Sequence, residues 1–306
     1  MTTEKEAKTK KVFGETFNLY SKEDYIRFIE PLYIRFAANG ISTDIFRGKN
    51  CLDAGCGGGR GSVFMLQNGA KHVTGVDLSE KNIETSRKWA EVFGFKNAEF
   101  TSGNLLDLPF EDETFDMVWC NGVLHHTENP DKGLQEITRV LKQKGWLWLY
   151  LYGAGGVYWY AMDMIRERIG KIPQDRVVKI LHDSGVPAGL IAEYIDDWYV
   201  PICRKYRVKD VQRRLVYLGF VGADNLKKGT GYDTSMRLVC ANERERLFLG
   251  EGDIRFFVQK IYSSPPSSGF FGLPLVDPEP TDEEVVQFCA AIHNASRDIT
   301  KPGAGL

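Results

Sequence analysis

The residues with the clearest chemical content are Asp53-Ala54-Gly55-Cys56-Gly57-Gly58-Gly59. Glycines at 55, 57 and 59 let the backbone turn tightly and come into contact with a ligand, and a helix opening just beyond offers unpaired N–H groups. Twenty-four residues after Asp53, Val73-Thr74-Gly75-Val76 ends in Asp77, a carboxylate able to accept hydrogen bonds from both hydroxyls of a ribose. Taken alone, Asp77-Leu78-Ser79 would also suit the cap region of a helix; its pairing with the glycine loop favours the ligand role. The dinucleotide fingerprint G-x-G-x-x-G fails in both registers, because Arg60 or Ser62 stands where its third glycine belongs, and G-x-x-x-x-G-K-[ST] has no match. Asp53 opposes a cation and repels a pyrophosphate. The loop is therefore suited to a nucleoside that carries positive charge and no phosphate.

His125 and His126 follow the apolar run Phe115–Cys120, at the carboxyl edge of a strand, where open α/β sheets bind ligands. His126, and less directly His125, can act as a base toward a hydroxyl or amine; packing under the loop is the alternative. His72, His182 and His293 read as structural or surface residues. Further on, Tyr158-Trp159-Tyr160, Tyr194, Asp196-Asp197-Trp198-Tyr199, Arg204 and Tyr206 mix rings with charges, as a lid excluding water from a substrate would. Tyr158, Asp197, Tyr199 and Arg204 are the substrate candidates, and about half of the group is expected to be plain packing.

These residues need a frame. From position 50 onward, strand-like runs at Cys51–Ala54, His72–Asp77, Ala98–Ser102, Phe115–Cys120 and Trp146–Tyr152 alternate with helical stretches at Gly59–Asn68, Ser79–Phe93 and Asn129–Leu141. Such alternation implies right-handed crossovers and a parallel sheet covered on both faces. The rhythm breaks at 153–204, a helical, aromatic-rich insertion. It resumes with a helix at Val208–Leu218, then Gly219-Phe220-Val221 and a strand at Asp253–Lys260, with Asn225–Gly252 ambiguous. Before the sheet, Ser21-Lys22-Glu23-Asp24 reads as a capping box opening a helix that Pro31 should kink or divide. Met1–Lys11 reads as a solvated tail. Residues 263–269 read as a linker, and Thr281-Asp282-Glu283-Glu284 as a second capping box. The expected division is a helical cap at 1–47, a cofactor-binding core at 48–152, a lid insertion at 153–204, the remainder of the core at 205–262, and a linker with a final helix at 263–306.

Of the 306 residues, 39 are basic and 41 acidic, for a net charge of −2. That balance, without a long Lys/Arg cluster, argues against a nucleic-acid partner. Six scattered cysteines without a C-x-x-C pair suit free thiols in a reducing, cytoplasmic setting, and no metal site is expected. Gly145–Met162 lacks charges, but its alternation of aromatics with Leu followed by three glycines fits a buried strand rather than a membrane span.

The motif Asp53-x-Gly55-x-Gly57-x-Gly59, Asp77, and Phe115-Asp116-Met117-Val118 leading to Asn121-Gly122-Val123-Leu124-His125-His126 resembles class I S-adenosylmethionine-dependent methyltransferases, in particular the bacterial small-molecule branch. The resemblance covers 48–152. It implies a Rossmann-like, doubly wound, mostly parallel seven-stranded α/β sheet with an antiparallel last strand, here with a helical insertion after strand five. It also implies S-adenosyl-L-methionine as cofactor. Asp53 with the backbone of Gly55 and Gly57 would then meet the methionine end, Asp77 the ribose, Asn104 and Leu105 the adenine edge, and Asn121 the methionine or sulfonium region, with Cys56, Gly59 and Leu78 as further cofactor-binding residues. Asn104 stands where the family commonly has Asp, which leaves Asp107 as a competitor. In related enzymes the segment before strand one often covers the substrate, a role that would fall to Phe13, Phe17 and Tyr20. The implied activity is methyl transfer to oxygen or nitrogen of a small molecule such as a sugar or natural-product intermediate. The alternatives are a catalytically silent cofactor-binding subunit or methylation of a peptide or protein side chain. An NAD-dependent oxidoreductase is disfavoured by Arg60. The oligomeric state is left open, homodimer included.

Overall fold

The structure is a computed structural model that describes residues 3–16, 21–226 and 249–262, with 247, 283, 286 and 290 as isolated positions. Two helices, α1 (Glu4–Thr16) and α2 (Lys22–Ala38), precede the sheet. The sheet then builds as β1 (Asn50–Ala54), α3 (Arg60–Gln67), β2 (His72–Asp77), α4 (Glu80–Val92), β3 (Ala98–Ser102), β4 (Phe115–Asn121), α5 (Pro130–Val140) and β5 (Leu141–Tyr152). Three helices form the insertion: α6 (Val157–Ile169), α7 (Gln174–Asp183) and α8 (Ala188–Tyr199). The chain returns through α9 (Val208–Tyr217), β6 (Phe220–Val221) and β7 (Asp253–Lys260).

The seven strands lie in the order β3-β2-β1-β4-β5-β7-β6. The first five pair in parallel, and β7 runs antiparallel to both β5 and β6. Both faces of the central strands are buried, so residues of opposite parity serve opposite cores. Leu52, Val118, Cys120, Leu147 and Leu149 pack beneath α5 and α9. Cys51, Met117, Trp119 and Trp148 face α2 and α3. This two-sided burial is why the strands read as short unbroken apolar runs. The point at which strand order reverses lies between β1 and β4, and the glycine loop leaves β1 there. Ligands in open α/β sheets bind at such a switch point.

Strand β5 starts at Leu141, ahead of the expected Trp146, and passes through a left-handed residue at Lys144 (φ 63°) and a register shift against β4. The polar Lys142-Gln143-Lys144 masks that portion in the sequence. Helix α2 is not divided by Pro31: it runs unbroken from 22 to 38, with Pro31 buried alongside Tyr25, Ile29, Leu32 and Phe36. Burial of this stripe outweighs the one backbone hydrogen bond that proline removes. The Ser21 hydroxyl accepts from the Asp24 N–H at 3.1 Å, as the capping pattern implied. Ser21→Ala should lower unfolding free energy by about 1 kcal/mol, read as a lower urea midpoint at unchanged slope.

The N-terminal segment is not a solvated tail. Helix α1 sets Val12 against Val177, Ile191 and Ile195 of the insertion, and Lys10 lies 3.8 Å from Glu80 at the start of α4. Helices α6 to α8 follow β5 as an inserted unit: Tyr158 and Trp159 of α6 pack beside Tyr152 of β5, and the mainly aliphatic Val177, Ile191 and Ile195 join α7 to α8. No helix among the described residues is long and apolar enough to cross a membrane. Cys51, Cys56, Cys120 and Cys203 are free thiols. Phe17, Tyr20, Cys240, Cys289, the 263–269 segment and the capping pattern at 281–284 lie outside the described residues, apart from Glu283.

Candidate active site

The loop after β1 takes its shape from backbone that only glycine adopts easily: φ is 82° at Gly55, 51° at Gly57 and 81° at Gly59. The Gly55 and Cys56 N–H groups donate to the Val76 carbonyl at 2.8 and 2.9 Å, tying the loop to the end of β2. Asp77 completes the tie. Its Oδ2 accepts from the Gly57 N–H at 2.9 Å, and its Oδ1 from the Ser79 N–H at 2.9 Å and the Asn82 amide at 3.0 Å. Burial pushes the Asp77 carboxyl above the ordinary carboxylate range, against the pull of those three donors. From α2, the Tyr25 hydroxyl donates to the Gly58 carbonyl at 2.9 Å.

Asp53, 2% exposed, lies opposite. The Ser62 hydroxyl donates to its Oδ2 at 2.7 Å. Burial nonetheless pushes its carboxyl up to about 7, with the Asp77 charge acting in the same direction and the Ser62 hydrogen bonds opposing. The indole of Trp119, stacked on Trp148 at 4.7 Å, completes this corner. A Cβ on Gly61 would come within 2.7 Å of that indole and 2.9 Å of Asp53 Oδ2.

These groups enclose a cavity of about 1220 Å³, open mouth included. Of the cofactor candidates, Asp53, Gly55, Cys56, Gly57, Asp77, Leu78, Asn104, Leu105 and Asn121 are on its wall. Gly59 is not; it turns the chain into α3, where a Cβ would meet the Ser86 backbone at 3.0 Å. Asn104 commits its Oδ1 to the Leu106 N–H at 2.9 Å and points its amide at Glu6 of α1, 3.2 Å away. Its oxygen thus belongs to its own turn instead of facing a ligand amine. Asp107 is exposed and off the wall. Asn121 accepts from the Trp148 indole at 2.9 Å.

His126 lines the cavity. Its Nδ1 is 2.7 Å from the Ile202 carbonyl, so the proton is on Nδ1, and its Nε2 is 3.1 Å from Asp196 Oδ1. Nδ1 thus donates, whereas Nε2 faces the Asp196 carboxylate without a hydrogen bond in this tautomer. His125 is fully buried and stacked on Tyr152 at 3.9 Å, away from the wall.

None of the four substrate candidates reaches the cavity. Tyr158 donates to the buried Asp197 at 2.9 Å, and Tyr199 to the Ile172 carbonyl at 2.8 Å. The Arg204 guanidinium donates to the Glu128 carbonyl at 3.0 Å. All four hold the insertion together and fasten it to the loop after β4. The wall is supplied instead by Glu6, Thr9, Lys10 and Phe13 of α1, Tyr25 and Phe28 of α2, and Arg60, whose guanidinium lies 4.0 Å from the Phe28 ring centroid. Residues 6, 9, 10 and 13 fall on one helical face, but their mixed polarity leaves no hydropathy signal. Among the described residues, no three His, Cys, Asp or Glu side chains are placed to hold a metal ion.

Strand order, glycine loop and paired carboxylates together define the class I methyltransferase fold. Residues 52–149 match the family described as "Methyltransferase domain", and that part of the chain is such a domain. The chain is 31% identical over 150 residues to a demethylmenaquinone methyltransferase of Listeria welshimeri, covering 48% of this chain and 63% of that one. It is 34% identical over 103 residues to a glycine/sarcosine/dimethylglycine N-methyltransferase of Actinopolyspora halophila, covering 33% and 18%. A SAM-dependent methyltransferase structure from Aquifex aeolicus aligns at 14% identity and a TM-score of 0.44, over 78% of this chain and 98% of that one. The chain thus spans between 18% and 63% of the length of these two curated relatives.

Proposed function

We propose that the protein transfers a methyl group from S-adenosylmethionine to oxygen or nitrogen of a small molecule. The observation that carries this reading is Asp77, which gathers Gly57, Ser79 and Asn82 at the ribose end while Asp53 stands buried at the other. Two carboxylates in one cavity oppose a pyrophosphate and suit a nucleoside bearing a cation. The residues fit that group on a further count: a Cβ on Gly55 would lie 2.5 Å from Val123, so the crevice depends on the bare backbone.

When bound, the cofactor supplies a methyl group on a positively charged sulfur, which leaves without being protonated. The chain's task is then to hold two partners in line, and orientation alone can supply about 7–11 kcal/mol of barrier reduction. Asp53 would oppose the cation, and the loop, its amides tied to Val76 and Asp77, would shape the methionyl end. Phe13, Tyr25, Phe28 and Trp119 exclude water from the acceptor side. The basic nitrogen of His126, Nε2, lies against the Asp196 carboxylate while Nδ1 is held by the Ile202 carbonyl, so we infer a positioning role for it. The names of the relatives, one acting on glycine and its methylated derivatives and one on demethylmenaquinone, support an acceptor of small-molecule size.

Calorimetry should show binding of S-adenosylmethionine and of S-adenosylhomocysteine but not of NADH. Incubation with a metabolite extract should release S-adenosylhomocysteine. Absence of cofactor binding would overturn the reading, and binding without any turnover would leave a silent cofactor-binding subunit.

A further inference from the structure

Gly57-Gly58-Gly59 is a run with no side chain to fix it, and glycine has the widest backbone freedom to lose when a loop takes its folded shape. Three ties hold the run. Two come from within the methyltransferase domain: Asp77 accepts from the Gly57 N–H at 2.9 Å, and the Ser86 hydroxyl donates to the Gly57 carbonyl at 2.8 Å. The third comes from outside residues 52–149, where Tyr25 of α2 donates its hydroxyl to the Gly58 carbonyl at 2.9 Å.

Tyr25 is aimed by its own packing. It is 1% exposed, and its ring stacks on Trp89 of α4 at 4.1 Å with 17° between the planes. Three residues further along α2, Phe28 grips the same stretch of chain: its carbonyl accepts from the Arg60 guanidinium at 3.3 Å, and that guanidinium lies over its ring. Residues three apart share a helical face, so one face of α2 clamps the chain from Gly58 to Arg60. Fixing a binding loop before its ligand arrives raises affinity, because the ordering cost is met in folding and not in binding.

Resting on the cofactor reading above, we propose that α2 is a working part of the cofactor site: Tyr25 is a positioning residue that presets the glycine loop, and cofactor binding is thereby coupled to the docking of α2 on the domain. The coupling is reciprocal. Whatever loosens α2 lowers cofactor affinity, and bound cofactor tightens α2.

The test uses the full chain and S-adenosylhomocysteine. Tyr25→Phe keeps the stack on Trp89 and removes the hydroxyl, and calorimetry should show affinity lower by about tenfold. Tyr33→Phe is the control. It removes another α2 hydroxyl that bonds across to α3, 3.1 Å from Gln67 Oε1, but lies off the cavity wall. Its affinity should stay within about twofold of the unsubstituted protein. Hydrogen exchange gives a readout that needs no variant: the ligand should slow exchange across residues 22–38 of the unsubstituted protein by about fivefold or more, and by less in the Tyr25 variant. Binding by Tyr25→Phe within about twofold of normal, an equal loss in both variants, or α2 exchange unmoved by ligand would overturn the proposal and leave the cofactor reading standing. Failure of the unsubstituted protein to bind S-adenosylhomocysteine would overturn that reading, and this inference with it.

Discussion

Asp53→Asn is expected to make the fold more stable and at the same time to remove its cationic ligand. In the folded chain the carboxyl is pushed from an ordinary 3.8 to about 7, chiefly by burial. A carboxyl raised in this way contributes its full stability below the unfolded value and loses it as pH climbs from about 4 to 7; above that the cost is constant, at most about 4 kcal/mol. Asparagine keeps an oxygen for the Ser62 hydroxyl and carries no charge to bury. Urea unfolding at pH 8 should therefore show the variant more stable by about 2 kcal/mol or more, with the gain vanishing near pH 4. Equal stability at pH 8 would refute the argument. Ligand binding should follow the opposite course. A cation favours the ionised form, so affinity of the unsubstituted protein for S-adenosylmethionine should rise with pH and level off above about 7, approaching tenfold per pH unit below it. In the variant this rise should be absent and affinity at pH 8 lower by about a hundredfold.

Gly55→Ala should be the most damaging single-methyl change near the cavity. The residue has φ of 82°, and the added Cβ would sit 2.5 and 2.6 Å from the two γ-carbons of Val123. The left-handed backbone alone costs a residue with Cβ about 1–2 kcal/mol. The overlap cannot be relieved by a flexible side chain, because Val123 sits on the turn that carries Asn121 and His126 to the wall. Affinity for S-adenosylmethionine should fall by about a hundredfold or more, and stability by about 2–4 kcal/mol. Gly40→Ala separates the two causes. It also has positive φ, 66°, but nothing lies within 4 Å of its Cβ position. It should lose only about 1 kcal/mol and leave affinity unchanged. Binding by the Gly55 variant within about threefold of normal would show that the loop does not approach its ligand.

The parts of this molecule that could be read from its sequence are those in which one residue's neighbours along the chain decide its environment. Strands β1 and β4 are buried on both faces, so their apolar runs and the glycines after β1 announce themselves. Asp77 at the tip of β2 follows from the same register, opposite Ser102 of β3. Where partners are far apart in sequence the reading fails. His126 looks like a free base until Ile202, 76 residues later, takes its Nδ1 proton. Tyr158 and Asp197 look like polar tips of a lid because each is the other's partner across 39 residues. On the face α1 sets over the cavity only Phe13 is legible in the sequence, because its companions there are Glu6, Thr9 and Lys10. Such a face matches a polar ligand and not an apolar core.

The close approaches at Gly55, Gly59 and Gly61 also bear on how the molecule can change over generations. At those three positions a single added methyl meets, in turn, the Val123 side chain, the Ser86 backbone, and the Trp119 indole with the Asp53 carboxylate, so drift there is filtered severely. Helices α6 to α8 are held by a mainly aliphatic cluster and by hydrogen bonds between their own members. Descendants of this chain can therefore diverge in the insertion while the nucleoside end stays almost unaltered.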